Sequence, residues 1–191
     1  MANTLRKGVR TKDLTEDTSG LSSHAKQFVL PNVRYDTEML AHATTEYDNP
    51  SLAILLSGNS DKKSKEYKAA IRAIQIWKQK GTKPGAKYQR KIIDVLNKNN
   101  TLPDVYLVEA ANRQSGSTTV SISGWIQISN SPPEYRTMKA TLSGEALQNF
   151  LSASIEGNQQ EALDTFASAS KYPQFSLYSG QGVTTSVQFS R

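Results

Sequence analysis

Between Thr119 and Ser129 the chain alternates with a period of two: Val120, Ile122, Ile126 and Ile128 fall on one side, and Thr119, Ser121, Ser123, Trp125, Gln127 and Ser129 on the other. A strand written this way is apolar on one face, so it needs a strand partner along its edge and a covering layer over its apolar side. The partner is predicted beyond the turn residues Asn130-Ser131-Pro132-Pro133, where Tyr135 to Leu142 turns Met138, Ala140 and Leu142 inward. The cover is predicted to be helical. Ser143-Gly144-Glu145 opens a helix with Leu147, Phe150, Leu151 and Ile155 on one stripe, and Asn158 stands where a second helix, carrying Ala162, Leu163 and Phe166, would be capped. Phe175 to Tyr178 and Val183 to Phe189 are expected to close the chain as a hairpin, and the β-branched, aromatic segment Asp104 to Ala110 is expected to be a further strand.

Before residue 100 the period changes to that of a helix. Tyr67, Ala70, Ile71, Ile74 and Trp77 share one sector of about 120°, with Lys65, Lys68 and Arg72 opposite and Ile76 the exception on the basic side. Gly81 suits the left-handed position after a helix end and Pro84 the first turn of a second helix, on which Tyr88, Ile92, Ile93, Val95 and Leu96 oppose Lys87, Arg90, Lys91 and Lys98. Asp36 is a predicted N-cap, and Pro50 favours a helix over Leu52 to Leu56. The expected fold class is α+β: a helical N-terminal part with a basic helical hairpin, then an antiparallel sheet with two C-terminal helices. The expected organisation is a flexible basic arm over residues 1–26 and one domain over 27–191, mainly helical to residue 100 and mixed beyond it.

The formal charge of +6 is distributed unevenly. Residues 1–34 carry 6 basic and 3 acidic side chains, 35–60 carry 0 and 4, 61–100 carry 12 and 3, and 101–191 carry 5 and 7. A segment at +9 is a patch, because a face kept for solubility interleaves both signs. Lys62, Lys63, Lys65, Lys68, Arg72, Lys83, Lys87, Arg90 and Lys91 are the candidate contacts to a polyanion, RNA or an anionic membrane surface. Lysine outnumbers arginine among them, which suits phosphate contact without base readout. A DNA-binding regulator using the same helix pair is the alternative, with Gln89 and Arg90 as its base-reading side chains.

Other chemistry lacks the residues it needs. Without cysteine there is no disulfide, thiolate zinc site or Cys nucleophile, and His24 and His42 are the only imidazoles. Ser60 to Lys63 fits S-x-x-K without its partner triplets, and Gly81 to Tyr88 departs from a phosphate-binding loop in its glycine spacing and in the residue after the lysine. Asp104, Glu109, Glu134 and Glu145 read as surface acids. The expectation is a non-enzymatic chain with no metal and no cofactor. The longest apolar run, Leu52 to Leu56, falls far short of the roughly 20 residues that span a bilayer, and the N-terminus lacks the apolar core of a signal peptide, so an intracellular location is expected.

Trp125 stands among Ser and Thr on the polar side of its strand, a candidate interface or stacking residue. Pro132-Pro133-Glu134-Tyr135 fits P-P-x-Y, a peptide read by WW domains. With this tetrapeptide, its basic charge, its lack of cysteine and its polar N-terminal arm, the chain resembles the matrix proteins of negative-strand RNA viruses. The resemblance implies a virion structural protein, of matrix or capsid/nucleocapsid type, that self-associates, binds RNA or membrane and recruits a WW-domain partner through Pro132, Pro133 and Tyr135. In that family the motif normally lies in the N-terminal arm, whereas here it lies between two predicted strands.

Overall fold

The computed structural model describes residues 10–12, 19–172, 174–178 and 186–190. Along the chain run β1 (Arg10–Lys12), α1 (Ser19–Val29), a 3-10 turn (Leu30–Asn32), α2 (Thr37–Glu46), α3 (Asn49–Ser57), α4 (Lys65–Lys80), α5 (Ala86–Lys98) and α6 (Asp104–Asn112). There follow β2 (Ser117–Ile128), β3 (Glu134–Ser143), α7 (Gly144–Ile155), α8 (Gln159–Ala169), β4 (Phe175–Tyr178) and β5 (Ser186–Ser190). The class is α+β, as expected. Instead of one domain after residue 26, the chain divides into two compact units, residues 34–103 and residues 1–33 with 104–191. The helical unit is thus an insertion within the chain that builds the sheet unit.

The sheet unit is organised by β2. Along one edge β2 pairs antiparallel with β3 from Ser117↔Ser143 to Ile126↔Glu134, the hairpin that the alternation predicts. Along its other edge lie both C-terminal strands, β5 from Thr119↔Ser190 to Ser123↔Ser186 and β4 from Trp125↔Tyr178 to Ile128↔Phe175. Among the described residues β4 and β5 therefore do not form the expected terminal hairpin: a 12-residue β2 is long enough for them to follow one another along it rather than pair with each other. β1 adds to β4 in parallel, Arg10↔Ser176 to Lys12↔Tyr178, the one departure from an antiparallel sheet among the described strands.

Val120, Ile122, Ile126, Met138, Ala140, Leu142, Leu177 and Val187 are buried on one face of this sheet, which α1, α7 and α8 cover. The cover is aromatic. Phe28 stacks on Phe189 at 4.7 Å between ring centroids, Phe150 meets Phe189 at 6.2 Å and Phe166 at 6.4 Å, and Phe166 meets Phe175 edge-on at 6.1 Å. Phe150 and Phe166 are fully buried, and each contributes roughly 1.5–3 kcal/mol by removal from water.

Two N-terminal expectations and one internal one do not hold. Residues 10–12 of the expected arm are β1, and residues 19–26 belong to α1, where Leu21, Ala25 and Val29 recur every fourth position and are buried. The remainder of the arm, 1–9 and 13–18, lies outside the described residues. The expected strand Asp104 to Ala110 is α6. Leu107, Ala110 and Ala111 form its buried stripe against α7, Asp104 occupies the first turn and pairs with Lys26 at 2.7 Å, and Val105 points outward, 57% exposed. The strand preference of Val105, Tyr106 and Val108 is worth a few tenths of a kcal/mol per residue, less than the burial of that stripe.

In the helical unit α2 is capped as predicted, with Asp36 accepting from the Glu38 N–H at 2.8 Å. α3 is a helix, as the proline suggests: Asp48 caps it, accepting from the Ser51 N–H at 2.7 Å, and Pro50 sits in the first turn. Hydrogen bonding from Ser51, through its side chain first and then this N–H, holds the Asp48 carboxyl below its ordinary pKa. Met39, Leu52, Leu56, Ile74, Ile92 and Leu96 are fully buried and make the core. α4 packs on α3, and α5 packs on α2 and α3. The two basic helices meet through Trp77 and Tyr88, edge to face at 5.1 Å. No helix among the described residues is long and apolar enough to cross a membrane.

Candidate polyanion-binding surface

α4 is fixed at both ends by local chemistry. The Ser64 hydroxyl accepts from the Tyr67 N–H at 3.1 Å, and Gly81, at φ 61°, donates its N–H to Trp77 O at 3.0 Å. With Tyr67, Ala70, Ile74 and Trp77 buried, the helix has one orientation, and Lys65, Lys68 and Arg72 are exposed on the other side beside the exposed Ile76. Lys62 and Lys63 are exposed in the preceding turn, held by the Asp61 N–H on Asn59 at 2.9 Å and the Lys63 N–H on Asp61 at 2.9 Å.

The second cluster surrounds the start of α5. The helix begins at Ala86 with Gly85 as N-cap, two residues after the expected proline: Gly85 is extended, φ −64° and ψ 157°, and its carbonyl takes the N–H groups of Tyr88 and Gln89. Lys83 and Lys87 are exposed. Lys83 Nζ lies 5.8 Å from the centre of the Tyr35 ring. Arg90 and Lys91 are engaged inside the unit, Arg90 with Asp94 at 3.1 Å and Lys91 through its ammonium to Leu56 O at 2.5 Å. Of the nine candidate cations, seven remain outward. None of Lys62, Lys63, Lys65, Lys68, Arg72, Lys83 and Lys87 forms an ion pair with a carboxylate among the described residues.

The placement of these cations runs against helix electrostatics. Partial positive charge gathers at a helix N-terminus, so a lysine there costs roughly 0.3–1 kcal/mol at low ionic strength, whereas one at the C-terminus stabilises. Lys62, Lys63, Lys65 and Lys68 cluster at the start of α4, and Lys83 and Lys87 at the start of α5, whose first turn holds no acid. Lys78 and Lys80, in the last turn of α4, are placed favourably. The two unfavourable clusters are separated by the length of α4, about 24 Å at 1.5 Å per residue. Such spacing suits an extended anionic partner better than a small ion.

A cavity of about 250 Å³ opens between α2 and the end of α4, with Tyr35, Leu40, Trp77 and Pro84 among its lining and Lys78 and Lys83 beside them. The Tyr35 hydroxyl is buried without a hydrogen-bond partner. Burial, reinforced by the Asp36 carboxylate, pushes its pKa up to about 12. Sequence periodicity gives no sign of this cavity, because Tyr35 precedes α2 and Lys83 lies between helices.

In the sheet unit Pro132 and Pro133 are exposed between β2 and β3, and Tyr135 is 57% exposed on β3, directly opposite Trp125, itself 43% exposed. Glu134 pairs with Arg136 at 2.6 Å and Glu109 with Arg113 at 3.5 Å. Each histidine ring donates to a backbone carbonyl, His24 to Gly20 at 2.7 Å and His42 to Thr101 at 2.7 Å. No group of three or more His, Asp or Glu suited to a metal ion occurs among the described residues. Comparison with family models, curated proteins and solved structures finds no match for this chain, so the surface is interpreted from its own geometry.

Proposed function

We propose that the chain is a non-enzymatic structural protein, of matrix or capsid/nucleocapsid type, whose helical unit binds the phosphates of RNA or an anionic membrane surface. The supporting observation is the set of seven outward cations without carboxylate partners, most of them at helix ends where the dipole opposes them. Placement that costs stability in the free protein is recovered when an anion arrives. The Gln89 amide donates to Pro84 O at 2.6 Å and Arg90 is paired with Asp94, so the two side chains suited to base reading are occupied. This favours backbone contact over the alternative of a sequence-specific DNA regulator.

The test is a salt titration of RNA affinity for the wild type and for Lys65→Glu/Lys68→Glu/Arg72→Glu. Wild-type affinity is expected to fall linearly with log salt, and the triple variant to reduce that slope by about 2, at roughly 0.7 per lost contact on a single strand. An unchanged slope overturns the reading. Flotation with anionic and neutral vesicles separates a lipid surface from RNA, and native mass reports whether the protein self-associates as a structural protein must.

A further inference from the structure

The uncovered face of the sheet unit has a composition that the basic helices do not explain. α1, α7 and α8 pack on the apolar face, and among the described residues of this unit no helix covers the other. That face presents Thr119, Ser121, Ser123, Trp125 and Gln127 of β2 and Tyr135, Thr137, Lys139 and Thr141 of β3. Thr119 and Thr141 hydroxyls meet at 3.2 Å, and Ser123 and Thr137 at 2.7 Å, so cross-strand pairs tie the two strands beside the aromatic pair. The register sets Tyr178 opposite Trp125 on the other edge of β2 and Lys12 opposite Tyr178.

We propose that this face binds single-stranded nucleic acid by stacking bases on Trp125 and Tyr135. Trp125 and Tyr135 are left 43% and 57% exposed on a hydroxyl-lined sheet, and directly opposed cross-strand residues, whose Cβ atoms lie roughly 5 Å apart, offer adjacent π-faces to successive bases. The charge agrees. The five strands contain one acid, Glu134, which lies in register with the buried Ile126 and is paired with Arg136, whereas Lys139 is exposed on the open face and Arg10 and Lys12 lie in register with Ser176 and Tyr178. A second copy of the same face would bring Lys139 against lysine with no acid on the described strands of that face to answer it, so an anionic, base-bearing partner fits better than self-pairing. This surface belongs to the sheet unit and the basic helices to the helical unit, and the two readings fail separately.

The experiment titrates the full chain, at moderate salt, with a short labelled oligouridylate and with an abasic oligomer of equal length and charge. Trp125→Ala and Tyr135→Ala are each expected to weaken oligouridylate binding by about 5- to 150-fold, the range for one lost base stack. Trp125→Phe, which keeps a π-face, is expected to stay within a few-fold of wild type, and the abasic oligomer to bind weakly and to ignore all three substitutions. Alanine variants that bind oligouridylate like wild type overturn the proposal. So does a Trp125→Ala variant that changes the sedimentation mass but not the affinity, because the face would then be a contact between copies. If Lys65→Glu/Lys68→Glu/Arg72→Glu leaves the salt dependence unchanged while the preference for based over abasic oligomer persists, the stacking surface stands and the helical reading is the one that falls.

Discussion

The two units divide charge and aromatic packing between them. Residues 34–103 hold 13 basic and 7 acidic side chains, which is the entire +6, whereas residues 1–33 with 104–191 hold 10 of each. All five phenylalanines, Phe28, Phe150, Phe166, Phe175 and Phe189, belong to the sheet unit. The helical unit builds its core from Met39, Leu52, Leu56, Ile74, Ile92 and Leu96 instead. The sheet unit therefore concentrates the phenylalanine rings that fix its interior, and the helical unit, which buries Tyr67 and Trp77, accepts unfavourably placed cations on its surface. Net charge is therefore not a property of this chain as a whole: the phenylalanine core and the excess of outward cations lie on different stretches of it.

The largest expected effects test whether the division is real. Phe150→Ala removes a fully buried ring that meets Phe166 and Phe189, and is expected to cost about 3–5 kcal/mol; Ile74→Ala in the helical core is expected to cost about 2–5 kcal/mol. Native-state hydrogen exchange should show the first loss in β2 and α7 and the second in α4 and α5. If α4 loses as much protection as β2 in Phe150→Ala, the units unfold as one block and the comparison breaks. Next in size, Ser64→Ala leaves the start of α4 uncapped and should cost about 1 kcal/mol, confined to the helical unit's urea midpoint.

Lys65→Glu sharpens the contrast through opposite signs. It should stabilise α4 by roughly 0.3–1 kcal/mol at low ionic strength, an effect that salt removes, while RNA or anionic vesicles bind less well. A variant that loses both stability and binding would show that the lysine is structural. The smallest effect concerns pH. The Tyr35 phenol has an ordinary pKa of 10.0 and ionises at about 12 when folded, so its contribution is intact below pH 10 and is lost as pH rises towards 12. Tyr35→Phe, which also deletes a buried hydroxyl without a partner, should flatten that alkaline loss in a pH series of thermal unfolding.

Periodic segments were legible because one face of each is buried. β2 and β3 follow from alternation, and α4 and α5 from a three-to-four repeat whose apolar members are buried as the sequence indicates, except Ile71 and Tyr88, which are half-buried. α6 was not, because Val105, Tyr106 and Val108 carry strand preference while the deciding contacts, Leu107, Ala110 and Ala111 on α7, are tertiary. α1 had its signal in Leu21, Ala25 and Val29, obscured by the polar residues around them. The pairing of β4 and β5 was illegible locally, since it depends on the length of β2. For the surface, the basic cluster was readable, but the inward engagement of Lys91 with Leu56 O and of Arg90 with Asp94 required three dimensions. Trp125 and Tyr135 stood out as residues, and their meeting as a pair emerges only in the strand register.

The insertion has a consequence for how the chain comes off the ribosome. Residues 34–103 are contiguous and can acquire their core as soon as they emerge, whereas α1 must wait for α7, and β1 for β4, more than a hundred residues later. The chain leaves the sheet unit after the 3-10 turn and re-enters it at α6, which packs against that turn and against α1 and ties Asp104 to Lys26. Departure and return are therefore neighbours, and the helical unit is a cassette: a short linker from Val33 to Asp104 would leave every strand pairing in place and yield a sheet module whose synthesis and folding no longer wait on the insert.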